Sequence, residues 1–181
     1  MSQKEKVLEL LKNIQPFPTQ DRDNIVNIPK GKTEATFRAN NQGFILGKVK
    51  DFGTKREDQV VKGKDNIITA KRTNTPKYKE LFVEASKLMK SHNPNFKFTS
   101  IQFNKNQKTK KHKDGNNVGK SYIIGLGDYT GGDVRLYAPD GKSYKDINIK
   151  NRWATFNGSE LEHETTPFKG DRYSLVFYNV N

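Results

Sequence analysis

The sequence predicts an α+β chain that is mainly β: a jelly-roll (double-stranded β-helix) core flanked by N-terminal helices. Three observations predict it. Apolar residues recur at helical spacing twice, both times before residue 95. From residue 96 onward the chain breaks into short runs bounded by Gly- and Pro-rich turns. The chain is polar, with 32% hydrophobic residues and a mean hydropathy of −0.92, yet its 11 Phe and 7 Tyr can fill one small barrel or sandwich core. Its 181 residues fit one domain, 1–181. Residues 1–95 are expected to form a helical flank with a basic flap, and 96–181 the jelly roll. Neither an internal repeat nor a linker divides the chain.

The elements follow in order. Over 4–15, Val7, Leu10, Leu11 and Ile14 fall on one helical face, and Pro16 and Pro18 stop the helix. Its apolar face is expected to pack on the sheet as a lid. Thr36-Phe37-Arg38 and Gly43–Gly47 read as short strands. Lys48, Lys50, Lys55, Arg56, Lys62, Lys64, Lys71 and Arg72 crowd a stretch with few apolar residues. Each alone fits a solvated loop; together they fit a phosphate-contacting flap.

A second helix begins with Thr75 as N-cap and Pro76 in the first turn. Tyr78, Leu81, Phe82, Ala85, Leu88 and Met89 make its apolar face. His92-Asn93-Pro94 ends it, and His92 is placed as a residue of the last turn, favoured there by the helix dipole. Strands are then expected at 96–101, 120–126, 133–137, 145–149, 152–156 and 172–178, with a tight turn at Pro139-Asp140-Gly141-Lys142. Helices followed by many short strands fit a sheet sandwich with helices on one side.

Composition sets further bounds. The chain has no cysteine, which excludes disulfides and thiolate metal sites, so any metal must use His, Asp or Glu. A net charge of +13 and pI near 9.8 fit a polyanionic partner, nucleic acid above all, and equally a Lys-rich solubilising surface. The N-terminus lacks the apolar run of a signal peptide, and no segment has membrane-spanning length. A soluble intracellular protein, in the nucleus or in the cytoplasm of a prokaryotic or virus-infected cell, is expected, and a monomer.

The candidate chemistry lies in the second half. In extended chain, residues i and i+2 point the same way, so His112 and Asp114 can bind one metal side by side. Alone this tripeptide also fits a surface His-Asp pair. His163 follows 49 residues later, and Arg172 nine after that. Two His and one carboxylate make the facial triad of a non-haem Fe(II) oxygenase, which leaves positions open for co-substrate and oxygen. Arg172, Ser174, Val176 and Tyr178 share one strand face. A guanidinium and a hydroxyl two residues apart can grip a carboxylate, with a metal as third anchor. The glycines of Gly125–Gly132 fit neither a dinucleotide fingerprint nor a P-loop and read as a strand end and hairpin turn. Trp153 and Phe156 read as core. Lys105, Lys108, Lys110, Lys111 and Lys113 form a basic ramp into the motif, or a solvated loop.

The ordered set His112-Lys-Asp114-Gly-Asn116-Asn117-Val-Gly119-Lys-Ser121, Gly125–Gly132, Trp153-Ala-Thr-Phe156-Asn-Gly158, His163 and Gly170-Asp-Arg172-Tyr-Ser174-Leu-Val-Phe-Tyr178 resembles the TET/JBP family. The resemblance is close over the last 85 or so residues and loose before them. These are Fe(II)- and 2-oxoglutarate-dependent dioxygenases that oxidise the 5-methyl group of pyrimidines in nucleic acid. The resemblance implies that His112, Asp114 and His163 hold iron and that Arg172 and Ser174 bind the distal carboxylate of 2-oxoglutarate, with O2 as the further co-substrate. It also implies that Asn117 hydrogen-bonds the target base and that Tyr178 stacks on it. The chain departs from animal members at Val180, where those often carry histidine, and in lacking their Cys-rich zinc-binding region.

The expected function is therefore oxidation of 5-methylcytosine or thymine in nucleic acid, DNA more than RNA. Two rivals are a 2-oxoglutarate-dependent hydroxylase of a protein side chain (prolyl hydroxylase-like) or small molecule, and a non-catalytic jelly roll that binds nucleic acid.

Overall fold

The computed structural model describes residues 1–20, 41–50, 59–62, 67–115 and 117–180, with 59–62 described by backbone alone. Helix α1 (Gln3–Lys12) starts at a capping box: the Ser2 hydroxyl accepts from the Glu5 amide, and the Glu5 carboxylate accepts from the Ser2 amide. Helix α2 (Pro76–His92) begins after a 3-10 turn at Lys71–Asn74. Thr75 sits at its N-cap position, but its hydroxyl turns back and donates to the Arg72 carbonyl at 2.7 Å, leaving the helix without a side-chain cap. Among the described residues no helix is long and apolar enough to cross a membrane.

The strands are β1 (Gln42–Lys50), β2 (Gln59–Lys62), β3 (Ile67–Ala70), β4 (Ser100–Lys105), β5 (Ser121–Leu126), β6 (Tyr129–Gly131), β7 (Val134–Tyr137), β8 (Tyr144–Ile147), β9 (Trp153–Phe156), β10 (His163–Thr165), β11 (Phe168–Gly170) and β12 (Tyr173–Tyr178). A seven-stranded antiparallel sheet runs β2-β3-β1-β4-β12-β5-β9, opposed by a three-stranded sheet β10-β7-β8 and a two-stranded ribbon β11-β6. This is a mainly β architecture of the jelly-roll type with two helices against the large sheet, as the residue pattern predicts.

Alternation along β12 separates two cores. Tyr173, Leu175 and Phe177 join Val7, Leu11, Leu81, Ala85, Leu88, Met89, Phe44, Leu46, Ile101 and Phe103 in a cluster between the helices and the large sheet. Val176 points the other way and packs with Ile123, Val134, Leu136, Ile149, Ala154 and Phe156 between the opposed sheets. Arg172 and Ser174 belong to this second, inner face.

Several elements differ from the sequence expectation. Phe96 and Phe98 lie outside any strand: they pack on Tyr122 and Phe177, and the strand starts at Ser100. β4 occupies the middle of the large sheet with Ser100, Ile101, Gln102, Phe103 and Asn104 all buried, so its polar inner residues hide the strand in the sequence. The Gly-rich run does end a strand at Leu126, but Tyr129–Gly131 then pairs with Phe168–Gly170 instead of closing a hairpin. Trp153 packs against the helix-side core as expected, although half-buried, with its indole stacked on His92 at 5.0 Å. The large sheet includes β1, which contains the strand expected at Gly43–Gly47, and also recruits β2 and β3 from before residue 96. Thr36-Phe37-Arg38, and the flap residues Lys55, Arg56 and Lys64, lie outside the described residues, as does the side chain of Lys62.

Candidate metal centre

The site is built on one antiparallel bridge. The His112 amide donates to the His163 carbonyl, and the His163 amide to the His112 carbonyl, both at 3.0 Å. Residues that exchange both bonds in this way sit opposite one another with side chains on one face. The two imidazoles accordingly lie 4.4 Å apart, centroid to centroid. Asp114, two residues on from His112, points the same way. Its Oδ1 is 3.3 Å from His112 Nε2 and its Oδ2 is 3.1 Å from His163 Nε2. Ligands bound at about 2.1 Å and at right angles lie about 3 Å from one another, close to these two distances, and one ligand atom from each of the three residues lies within 4.8 Å of the others.

Second contacts fix the rings. His112 Nδ1 meets the Lys110 carbonyl at 2.6 Å, and His163 Nδ1 meets the Leu161 carbonyl at 3.0 Å. A carbonyl only accepts, so each Nδ1 carries the hydrogen and each Nε2 turns its lone pair inward. Two lone pairs facing a carboxylate repel unless a cation stands between them, and this donor set therefore fits a divalent metal ion. Phe156 covers His163 with ring centroids 4.9 Å apart.

Arg172 is 2% exposed. Its Nε and Nη2 donate to the Gly132 carbonyl at 3.2 and 3.0 Å, and the rings of Tyr129 and Phe168 flank it. Among the described residues no carboxylate forms an ion pair with it. Burial lowers its pKa, with Tyr129 and Asp133 working in the opposite direction. A buried guanidinium without an ionic partner is costly, and such a group could hold an anionic ligand. Gly132 makes room for it: a Cβ there would meet Arg172 Nε at 2.6 Å, and the residue's φ of +67° suits glycine besides. Ser174 is buried nearby on the inner face, its Oγ accepting from Asn104 Nδ2 at 3.1 Å.

Sequence reasoning missed three things here. Tyr129 is buried in the Gly-rich run, and its hydroxyl has no hydrogen-bond partner of normal geometry among the described residues. Burial raises the pKa of that hydroxyl, and the charge of Arg172 pulls the other way. Gln102 and Asn104 line the inner face as buried amides, 2.9 Å apart. Gly158 backs the Asp114 carboxylate. The aromatic at 129 stands between glycines in the sequence, and that was the one available signal.

The remaining expected residues are placed as follows. Asn117 is half-buried, and its amide closes a turn onto the Asp114 carbonyl at 3.1 Å. Asn116 lies outside the described residues. Tyr178 is buried on the inner face opposite Ser100. In the basic ramp, Lys111 is not free: its Nζ donates to the Gly141 carbonyl at 2.6 Å and sits 4.0 Å from the Tyr137 ring centroid. Lys105 lies over Tyr173, whereas Lys108 and Lys113 are exposed.

Neither a protein-family model nor a curated protein sequence matches the chain. Solved structures do match its fold. A 2OG-Fe(II) oxygenase-family oxidoreductase from Burkholderia pseudomallei superposes with a TM-score of 0.54 at 13% identity, covering 96% of this chain and 76% of that one. NgTET1, solved in complex with 5mC DNA, gives 0.53 at 13% identity, over 98% of this chain and 66% of that one. OsALKBH1 gives 0.51 at 12% identity, over 97% and 91%. At such identities the likeness shows the fold, which is that of the 2OG-Fe(II) oxygenases.

Proposed function

We propose that the protein is an Fe(II)- and 2-oxoglutarate-dependent dioxygenase that oxidises the 5-methyl group of a pyrimidine, 5-methylcytosine or thymine, in nucleic acid, with DNA the preferred form. The observation that carries the oxygenase reading is the bridge that sets His112 and His163 side by side against Asp114. With iron, 2-oxoglutarate and O2 bound, the group would supply C–H oxidation, in which 2-oxoglutarate becomes succinate and CO2, one oxygen atom of O2 entering succinate and the other the oxidised methyl group.

The chain's own residues do the rest. His112, Asp114 and His163 would hold the metal, and the carbonyls of Lys110 and Leu161 hold the two imidazole rings in place through Nδ1. Arg172 takes the distal carboxylate of the co-substrate. Its guanidinium is aimed by the Gly132 carbonyl, and the Tyr129 and Ser174 hydroxyls provide further contacts. The inner apolar cluster around Phe156 and Val176 excludes water from the reacting centre.

The substrate class rests on the TET/JBP-like motif run, on the fold shared with a protein solved on 5mC DNA, and on the net charge of +13. Asn117 would hydrogen-bond the base edge and Tyr178 would stack on it, after the base leaves the duplex stack. Lys108, Lys110 and Lys113 would meet backbone phosphates. The test is mass spectrometry of nucleosides after incubation with iron, 2-oxoglutarate and DNA carrying 5-methylcytosine or thymine. Hydroxymethyl or further oxidised products are expected; unchanged bases alongside active 2-oxoglutarate turnover would refute the substrate.

A further inference from the structure

We infer that Gly158 is a positioning residue of the metal centre: its bare α-carbon is the surface against which the Asp114 carboxylate rests. The inference builds on the reading of His112, Asp114 and His163 as metal ligands. A Cβ at 158 would meet Asp114 Oδ2 at 2.8 Å, His163 Cε1 at 3.1 Å and Phe156 Cε2 at 3.4 Å. Two of the three proposed ligands would thus be pressed by one added carbon. The Gly158 backbone is not in the left-handed region, so space, not φ, demands glycine here.

The position cannot retreat easily. The Asp114 amide donates to the Gly158 carbonyl at 2.8 Å, which ties the carboxylate's own backbone to it. The turn is held by Asn157: its carbonyl accepts from the amides of Glu160 and Leu161 at 3.2 and 3.0 Å, and its Oδ1 accepts from the Ser159 hydroxyl at 2.7 Å. The Leu161 carbonyl at the end of that turn is the one that orients His163. Moving 158 outward therefore pulls on the ring of the second ligand. Gly115, next to Asp114 in sequence, differs: a Cβ there would meet none of the described residues within 4 Å.

Cobalt(II) titration of the metal-free protein, followed by visible absorption, tests the assignment with Gly158→Ala and Gly115→Ala. Gly115→Ala should match the wild type. Gly158→Ala should bind cobalt at least tenfold more weakly, with an altered absorption envelope. Wild-type affinity and spectrum in Gly158→Ala would overturn the inference. Thermal unfolding of the metal-free protein closes a cycle with Asp114→Ala. The drop caused by Gly158→Ala should shrink in the Asp114→Ala background, and an equal drop in both would overturn the contact. If Gly158→Ala fails to fold, folding of the double variant supports the contact, and failure of the double variant, where Asp114→Ala alone folds, overturns it. A wild type that takes up no cobalt defeats the metal reading, while the metal-free cycle separately decides whether Gly158 and Asp114 touch.

Discussion

At the scale of single residues, the centre depends on which atoms face which. His112 and His163 exchange backbone hydrogen bonds, and their Nδ1 atoms are committed to carbonyls. His112→Ala removes one of the three proposed ligands and should abolish measurable metal-dependent 2-oxoglutarate turnover, read as succinate release. Arg172 makes a separate prediction. It is buried and lacks an ion pair among the described residues, so Arg172→Met should leave the fold intact and weaken 2-oxoglutarate binding by roughly 10- to 100-fold, the worth of a charge-assisted contact, as calorimetry would measure. The His112/Asp114 pairing was legible from i, i+2 spacing, and His163 from its residue type and place after a Gly-Ser turn. That the two histidines form one hydrogen-bonded pair was not legible, because His163 lies 51 residues after His112 (49 after Asp114) and such a separation fixes no register. Tyr129 and Gly158 stayed hidden because their roles are defined by what lies against them.

At the scale of elements, α1 and α2 are joined by one buried carboxylate. Glu84 of α2 accepts from Gln3 Nε2 at 2.7 Å and pairs with Lys6 and Lys87, each at 3.3 Å. The Gln3 hydrogen bond is the largest influence, ahead of burial, which opposes it, and the carboxyl is lowered from 4.5 to about 2. A depressed carboxylate stabilises the fold above its ordinary pKa, and the contribution is lost as pH falls from 4.5 through about 2. Glu84→Gln should lower the melting temperature at pH 7 and narrow the gap to wild type below pH 3, about the acid end of that window, as calorimetry across pH would show. In β4, Phe103 is fully buried, and Phe103→Ala should cost about 3–5 kcal/mol in urea unfolding. Both helices were legible because each has a clean apolar face; the Ser2-Glu5 box was there to be read as well. β4 was not, since its inner face carries Gln102 and Asn104 where alternation would demand apolar residues.

At the scale of the whole molecule, the jelly roll, the two-sided core and the excess of 13 positive charges combine into one expectation about partners. Duplex DNA should bind with a steep salt dependence. Replacing Lys108, Lys110 and Lys113 by alanine should reduce the log–log salt slope by about 3, near 0.9 per phosphate contact, in fluorescence anisotropy titrations. Binding insensitive to salt would instead favour a hydroxylase acting on a protein side chain or small molecule. The fold class was legible because period and turn chemistry change together at one place in the chain. Gly43–Gly47 was legible as a strand, but the contribution of β2 and β3 to the large sheet was not, because two four-residue strands beside a run of lysines read as solvated chain.

The central claim is that His112, Asp114 and His163 form one working metal centre. Its most direct test is succinate formation from 2-oxoglutarate with iron(II) and methylated DNA, comparing the wild type with Asp114→Ala. Turnover by the wild type and none by the variant is predicted. Equal turnover in both, or none in an iron-loaded wild type, would contradict it.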